Sequence, residues 1–334
     1  MPHRDVIVIG ASSGGVAPLV RLVRHLPPDL PAAIFVVLHV NPDAPSQLPA
    51  ILNRAGGLRA AHGVDDEPIR RSRIYVAPPG FQMYVHHNRL SVRRGPQENL
   101  HRPAIDPMFR TAAHHYGPRV IGIVLSGALD DGSAGLRAVK HGGGIAIVQD
   151  PNDALVAAMP ANAMEYVDVD HAVASADLAP LLINLVSRQD TLPPFGDVAL
   201  ETAEEAAVPD EAYRSEELGI TSPFTCPDCS GALWEIDEAR GTRFRCRVGH
   251  AYSEEAMIKA QGDSVERALW TALRALEERV ALLNKLAGHA RARGHVAVAA
   301  MFESRSKQAD EDVRALHDVI MSGRALEQVG PEAI

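Results

Sequence analysis

The sequence predicts an α/β fold: a doubly wound, mostly parallel sheet with helices on both faces and an antiparallel edge hairpin, followed by a small cysteine-containing module and an α-helical hairpin. Three observations carry this expectation. Short apolar runs alternate with helical patterns from residue 5 to about 188, all three cysteines fall between 226 and 246, and apolar residues recur every three or four positions near the C-terminus. A chain of 334 residues is also too long for one ordinary core and calls for two or three domains.

The strands come first. "VIVIG" (6–10), "AIFVVLH" (33–39), "VIGIVLSG" (120–127) and "GIAIVQ" (144–149) are near-continuous apolar runs, as strands buried on both faces of a parallel sheet should be. Between them, "VAPLVRLVRHL" (16–26), "PSQLPAILNRA" (45–55), "DPMFRTAAHHY" (106–116) and "SAGLRAVKH" (133–141) are amphipathic helices, enough to cover both faces. "RIYVAPPGFQMYVHHNRLSVRR" (73–94) breaks the alternation with a strand, a Pro-Pro-Gly turn and a hairpin about His87-Asn88, expected at one edge.

Residues 190–220 hold nine acidic side chains against Arg214, and with Pro193, Pro194 and Pro209 the stretch 190–222 reads as a solvated linker between a first domain, 1–189, and the C-terminal modules. A compact module occupies 223–255. A helical hairpin and tail close the chain at 256–334, with Val265, Leu269, Leu273, Leu276, Val280 and Leu283 on one helix and Phe302, Ala309, Val313, Leu316 and Ile320 on the other. Self-association through the same stripe is the alternative use of those residues.

With 46% hydrophobic and 22% charged residues the chain has a globular composition, and its net charge of −9, concentrated in the linker, argues against nucleic acid as a partner. No apolar run approaches the roughly 18–20 residues of a membrane span, and the first strand starts too early for a signal peptide. Cysteines clustered in one module indicate a metal site rather than disulfides, and place the protein in a reducing compartment, the cytoplasm.

The chemistry is sought at the carboxyl ends of the strands, where parallel α/β sheets bind ligands. "GASSGG" after the first strand has Ser12 where a dinucleotide-binding turn wants glycine, and the second strand ends in His39 rather than an acidic residue. Gly10-Ala11-Ser12-Ser13-Gly14 also fits the G-x-S-x-G elbow, in which a strained turn pushes the serine outward. The third candidate strand ends in Asp130-Asp131, one of which could orient a histidine, or simply cap the next helix. A serine, a base and a carboxylate at one sheet edge are the parts of a nucleophilic triad, here in the chain order Ser, His, Asp.

"VIVIGASSGG", "VVLHV", "APPG", "RPAIDPMF", "LSGALDDGSAGL" and "VQDP...AAMP" together resemble, in order over residues 5–188, the catalytic domain of the chemotaxis protein-glutamate methylesterases, the CheB family. The resemblance implies hydrolysis of γ-glutamyl methyl esters on a methylated chemoreceptor or receptor-like protein, with glutamine deamidation in some members and no catalytic cofactor. It places the nucleophile on Ser12, the histidine on His39 and the aspartate on Asp131, with the backbone N–H groups of Ser13 and Ala128 as the oxyanion contacts. Typical members carry an N-terminal receiver domain, for which this sequence leaves no room ahead of its first strand. Many have a histidine where Gln82 stands, and 190–334 has no counterpart in receiver-linked members.

Cys226-Pro-Asp-Cys229 and Cys246-Arg-Val-Gly-His250 have the C-x2-C and C-x3-H spacing of a tetrahedral structural zinc site, so the module is zinc-ribbon-like. Trp234, Phe244 and Tyr252 would form its small core, and Arg240, Arg243, Arg245 and Arg247 read as a solvated basic face. The competing functions are a nucleotide-binding α/β regulatory domain and a non-catalytic receptor-binding adaptor.

Overall fold

The computed structural model describes residues 4–188, 219–238 and 241–322, so most of the acidic linker lies outside the described residues. The chain divides into two compact units, 1–256 and 257–334.

The first unit opens with β1 (Val6–Ala11), α1 (Val16–His25), β2 (Ala33–Leu38), α2 (Leu48–Ala55), β3 (Arg59–His62) and β4 (Arg73–Val76). The strands β5 (Gln82–His86) and β6 (Arg89–Arg93) come next, then α3 (Ile105–Tyr116), β7 (Val120–Val124), α4 (Ser133–His141), β8 (Ile145–Gln149), α5 (Ala158–Tyr166), β9 (His171–Val173) and α6 (Leu178–Ser187). Seven strands form one sheet in the order β3-β4-β2-β1-β7-β8-β9, every pairing parallel. The strand 73–76 thus joins the main sheet as β4, while β5 and β6 make a separate two-stranded sheet whose turn holds Asn88 at φ 63.

Alternate residues of β1 serve two cores. Ile7 and Ile9 pack with Leu19 of α1, Leu52 of α2 and Leu182 of α6. Val6 and Val8 pack with Phe109 of α3, Leu136 of α4 and Met159 of α5. Burial on both faces explains the uninterrupted apolar runs of the central strands. The edge strands β3 ("RAAH") and β9 ("HAV") carry no such run, and hydrophobic pattern alone does not announce them. The strand order reverses at β1, flanked by β2 on one side and β7 on the other, and this is the switch point at which such sheets open a crevice.

Still within the first unit, β10 (Ile220–Thr225), β11 (Ala232–Glu238), β12 (Gly241–Cys246) and β13 (Ala251–Tyr252) form an antiparallel sheet in chain order. Leu233, Phe244 and Tyr252 are buried in it, with Phe224 edge-on to Phe244, whereas Trp234 is only half-buried. The basic face expected here is not solvated: Arg243 and Arg245 are 7% and 6% exposed. Arg243 is buried because Glu98 meets it in an ion pair, a partner that local sequence cannot reveal. Arg247 is exposed, and Arg240 lies outside the described residues.

The helical hairpin consists of α7 (Glu254–Ala292) and α8 (Val296–Met321), joined through Gly294 at φ +79. Leu273, Leu283 and Ala290 of α7 and Ala299, Ala309 and Ile320 of α8 are buried, Val265 is exposed, and Ser306 donates a hydrogen bond to Asn284 Oδ1 at 2.7 Å. Among the described residues no helix is long and apolar enough to cross a membrane.

Candidate active site and metal centre

The turn after β1 is tied to the end of β7. Ser12 N–H donates to Ser126 O at 3.0 Å, and Gly15 N–H to Ser12 O at 2.9 Å. The buried Ser126 hydroxyl donates to Ser13 O at 2.8 Å and accepts from Val156 N–H at 3.0 Å. Gly14 takes the left-handed conformation the turn needs, at φ +81, and a Cβ there would lie 2.6 Å from Ser126 Oγ. Ser12 itself keeps a negative φ, so the strain expected at the elbow serine is borne by Gly14 instead.

His39 comes directly after β2, its N–H donating to Ala11 O at 3.0 Å. Its Nε2 lies 2.7 Å from Asp131 Oδ2, and the two side chains are 4% and 1% exposed. Asp131 accepts three further bonds, from Ile105 N–H at 2.8 Å, Asn99 Nδ2 at 3.0 Å and Asp106 N–H at 3.3 Å. Burial opposes its ionisation, but the hydrogen bond and charge of His39, the charge of His101 and the Ile105 N–H outweigh burial and hold its carboxyl below the usual range.

With Nε2–H directed at this carboxylate, Nδ1 carries the lone pair of the imidazole, and Nδ1 is buried with no hydrogen-bond partner among the described residues. The structure therefore joins His39 to Asp131 and sets Ser12 at the same sheet edge without a hydrogen bond between serine and imidazole. Apo sites are often loose in this way. Ser13 and Ala128 are both exposed beside Ser12.

Asp130 has another task. It is 7% exposed, and its Oδ1 accepts from the Ser253 hydroxyl at 2.7 Å. Burial, helped by the charges of Glu255, Asp106 and Asp131 and opposed by the Ser253 bond, pushes it up to about 7. Neither Asp130 nor Asp131 caps α4 through its side chain; Asp106 does, accepting from Gly132 N–H at 3.1 Å and Gly135 N–H at 2.6 Å.

Three residues that sequence reasoning did not single out also shape the site. His101 stacks on His39, ring centroids 3.5 Å apart and planes 13° apart. Asn99 donates from Nδ2 to both Asp131 and Asp106 at 3.0 Å. Asp106 is pushed up to about 6, by burial first and then by the charge of Asp131. Asn99 and His101 precede "RPAIDPMF" and Asp106 lies within it, but no spacing rule points from there to His39. Gln82 is buried and structural: it donates to Pro96 O at 3.0 Å and accepts from Ala104 N–H at 2.8 Å, fixing the segment that carries Asn99 and His101.

Cys226, Cys229, Cys246 and His250 gather their ligand atoms within 4.8 Å of one another. Cys226 Sγ and Cys246 Sγ lie 3.6 and 3.5 Å from His250 Nδ1, and Cys229 Sγ lies 3.7 Å from Cys246 Sγ. A tetrahedral zinc with bonds of about 2.3 Å to sulfur and about 2.0 Å to nitrogen separates its ligands by roughly 3.5–3.8 Å, so this donor set fits such an ion. Burial and then the neighbouring Cys226 push the Cys246 thiol up to about 11, so it becomes a thiolate ligand only as a bound cation displaces its proton.

A parallel sheet of this order, with a buried imidazole–carboxylate pair and a serine-bearing turn at its switch point, makes this an α/β domain that holds the parts of a nucleophilic site. Comparison with known proteins gives the family. The CheB methylesterase family model matches residues 7–182, and the chain belongs to that family. The putative protein-glutamate methylesterase/protein-glutamine glutaminase of Leptospira interrogans is 34% identical over 182 residues, covering 54% of this chain and 94% of the relative. The protein-glutamate methylesterase/protein-glutamine glutaminase of Moorella thermoacetica is 34% identical over 191 residues, 56% of this chain and 45% of that protein. The crystal structure of the Thermotoga maritima CheB methylesterase catalytic domain, 29% identical, superposes with a TM-score of 0.53 over 55% of this chain and 98% of its own.

Proposed function

We propose that this protein hydrolyses glutamate γ-methyl esters on a methylated chemoreceptor or a related sensor, with Ser12 as nucleophile, His39 as general base and acid, and Asp131 as its orienting carboxylate. The observation that carries the reading is the buried His39–Asp131 pair, whose Nδ1 has no hydrogen-bond partner among the described residues.

Nδ1 takes the Ser12 proton as Oγ attacks the ester carbonyl, and the new oxyanion lies against the N–H groups of Ser13 and Ala128. Collapse of the tetrahedral intermediate breaks the C–OCH₃ bond, and Nδ1–H protonates the departing oxygen to give methanol. Water, deprotonated by the same nitrogen, then attacks the acyl-enzyme, and the intermediate releases glutamate and restores Ser12. Asp131 holds the tautomer throughout and balances the imidazolium charge. A glutamine side chain would take the same path with ammonia leaving, and the relatives' names include glutaminase.

On this reading residues 1–189 are the esterase, 190–222 an acidic linker whose last residues already enter β10, 223–255 a zinc ribbon that runs into the start of α7 at Glu254, and 256–334 a helical hairpin with its tail. Zinc is the assigned ion because three thiolates and one imidazole suit it, and four protein ligands leave no open position for chemistry. The test is Ser12→Ala in the full chain with a methylated receptor preparation. Methanol release should fall by roughly 10³-fold or more with unchanged thermal unfolding. Activity close to wild type would overturn the proposal.

A further inference from the structure

Residues 97–101 are held from two sides. On the ribbon side, Asn99 N–H donates to Ala251 O at 2.8 Å and Ala251 N–H to Gln97 O at 3.3 Å, so the loop pairs with β13. Ser253 N–H donates to Asn99 Oδ1 at 3.0 Å. The buried Glu98 accepts from Arg243 of β12 and from Arg110 of α3. On the catalytic side, Asn99 Nδ2 gives one hydrogen bond each to Asp131 Oδ1 and Asp106 Oδ2, and two residues on, His101 lies flat against His39.

We propose that Asn99 is a positioning residue of the esterase and that the ribbon is its clamp, so that this accessory module is structurally part of the active site. The inference rests on the esterase reading above.

The reasoning is electrostatic and conformational. Asp131 must stay ionised beside a second buried carboxylate, Asp106, and a donor placed between two such groups relieves their repulsion. The Asn99 amide is that donor. Its Oδ1 is occupied by Ser253 N–H, which fixes which end of the amide faces the carboxylates. The backbone that delivers it has two consecutive left-handed residues, Asn99 at φ 48 and Leu100 at φ 69. Asparagine tolerates that conformation, but leucine rarely adopts it. Mutual backbone bonds between Glu98 and His101, at 3.2 and 2.9 Å, close the turn, and the bonds to Ala251 and Ser253 brace it against the ribbon. If the ribbon were lost, the loop would relax, withdrawing the amide from Asp131 and the His101 ring from His39.

Asn99→Asp in the full chain is the sharpest test. It keeps the oxygen facing Ser253 and replaces the shared donor with a carboxylate oxygen. The charged and titratable groups around this position are Asp106, Asp130 and Asp131, Arg137 of α4, Tyr166 of α5, Arg243 of β12 and Glu254 of α7, with His39 beyond Asp131, His101 against His39, and Arg110 on Glu98. The new carboxyl shares its protons with Asp106 and Asp131, and the share of negative charge it adds stabilises the imidazolium of His39. The acid limb of kcat/KM for methyl-ester hydrolysis should therefore move to higher pH by at least about half a unit. Per folded enzyme, measured by near-ultraviolet circular dichroism, kcat at neutral pH should fall about tenfold or more with KM within about twofold.

A purely structural role would lower the melting temperature and the folded fraction without moving the acid limb. Arg243→Met, which releases the clamp from the ribbon side, should lower kcat in the same sense, and it carries the test should Asn99→Asp not fold. The proposal is overturned if wild type is active and Ser12→Ala is not, while the folded variants keep wild-type kcat and pH profile. If Ser12→Ala is itself active, it is the esterase reading that fails.

Discussion

Replacing Asp131 by asparagine tests the base assignment most directly. Oδ2 receives His39 Nε2 at 2.7 Å and Ile105 N–H at 2.8 Å, and Oδ1 receives Asn99 Nδ2 at 3.0 Å and Asp106 N–H at 3.3 Å. An asparagine must set its NH₂ group against one of these pairs. Facing Asn99 and Asp106 it would strand two donors: the Asp106 N–H cannot accept at all, and the Asn99 amide could accept only by flipping away from Ser253 N–H. Facing His39 and Ile105 it strands only the Ile105 N–H, because the imidazole can change tautomer and accept at Nε2. The second arrangement is favoured by about one unsatisfied buried donor, roughly 1–3 kcal/mol. It moves the histidine proton to Nδ1, so Ser12 then faces a donor instead of a base.

The expected loss in kcat is of the order of 10⁴, about 5 kcal/mol of barrier, alongside a stability loss of about 1–3 kcal/mol from the orphaned amide. Methanol release under saturating methylated receptor reads the first, and urea unfolding reads the second. An Asp131→Asn enzyme retaining more than a tenth of wild-type kcat would refute the assignment of Nδ1 as the base.

Other expectations concern the ribbon and the buried acids. The purified protein should contain close to one zinc per chain by elemental analysis, and chelation should lower the unfolding temperature of the first unit, because this small sheet has little apolar core beyond Leu233, Phe244 and Tyr252. Asp130, raised to about 7, favours its neutral form when folded, so its ionisation destabilises the fold as pH rises from near 4 through 7. Asp130→Asn, which keeps an oxygen for Ser253, should gain on wild type by roughly 2–4 kcal/mol between pH 5 and pH 8 in denaturant melts. An unchanged difference across that range would remove the raised acid from the account.

By itself the sequence determined the sheet, the helices on both faces and the strand ends at which Ser12, His39 and Asp131 stand. Continuous apolar strands can be buried only between two helical layers, as β1, β2, β7 and β8 are, and the carboxyl ends of such strands converge wherever their order reverses. The cysteine–histidine cluster was equally legible, since Cys226 with Cys229 and Cys246 with His250 each fall within one turn of chain. Tertiary structure decided the rest: which carboxylate meets His39, what caps α4, and why Arg243 is buried. Asp130 and Asp131 are neighbours with the same chemistry, and only the placement of Asn99, Ile105 and Ser253 around them makes one a partner for imidazole and the other a neutral contact for the ribbon. Asn99, Asp106 and His101 acquire their roles across 7 to 154 residues of chain, where the determining quantity is the desolvation of groups brought together by folding, which no local pattern records.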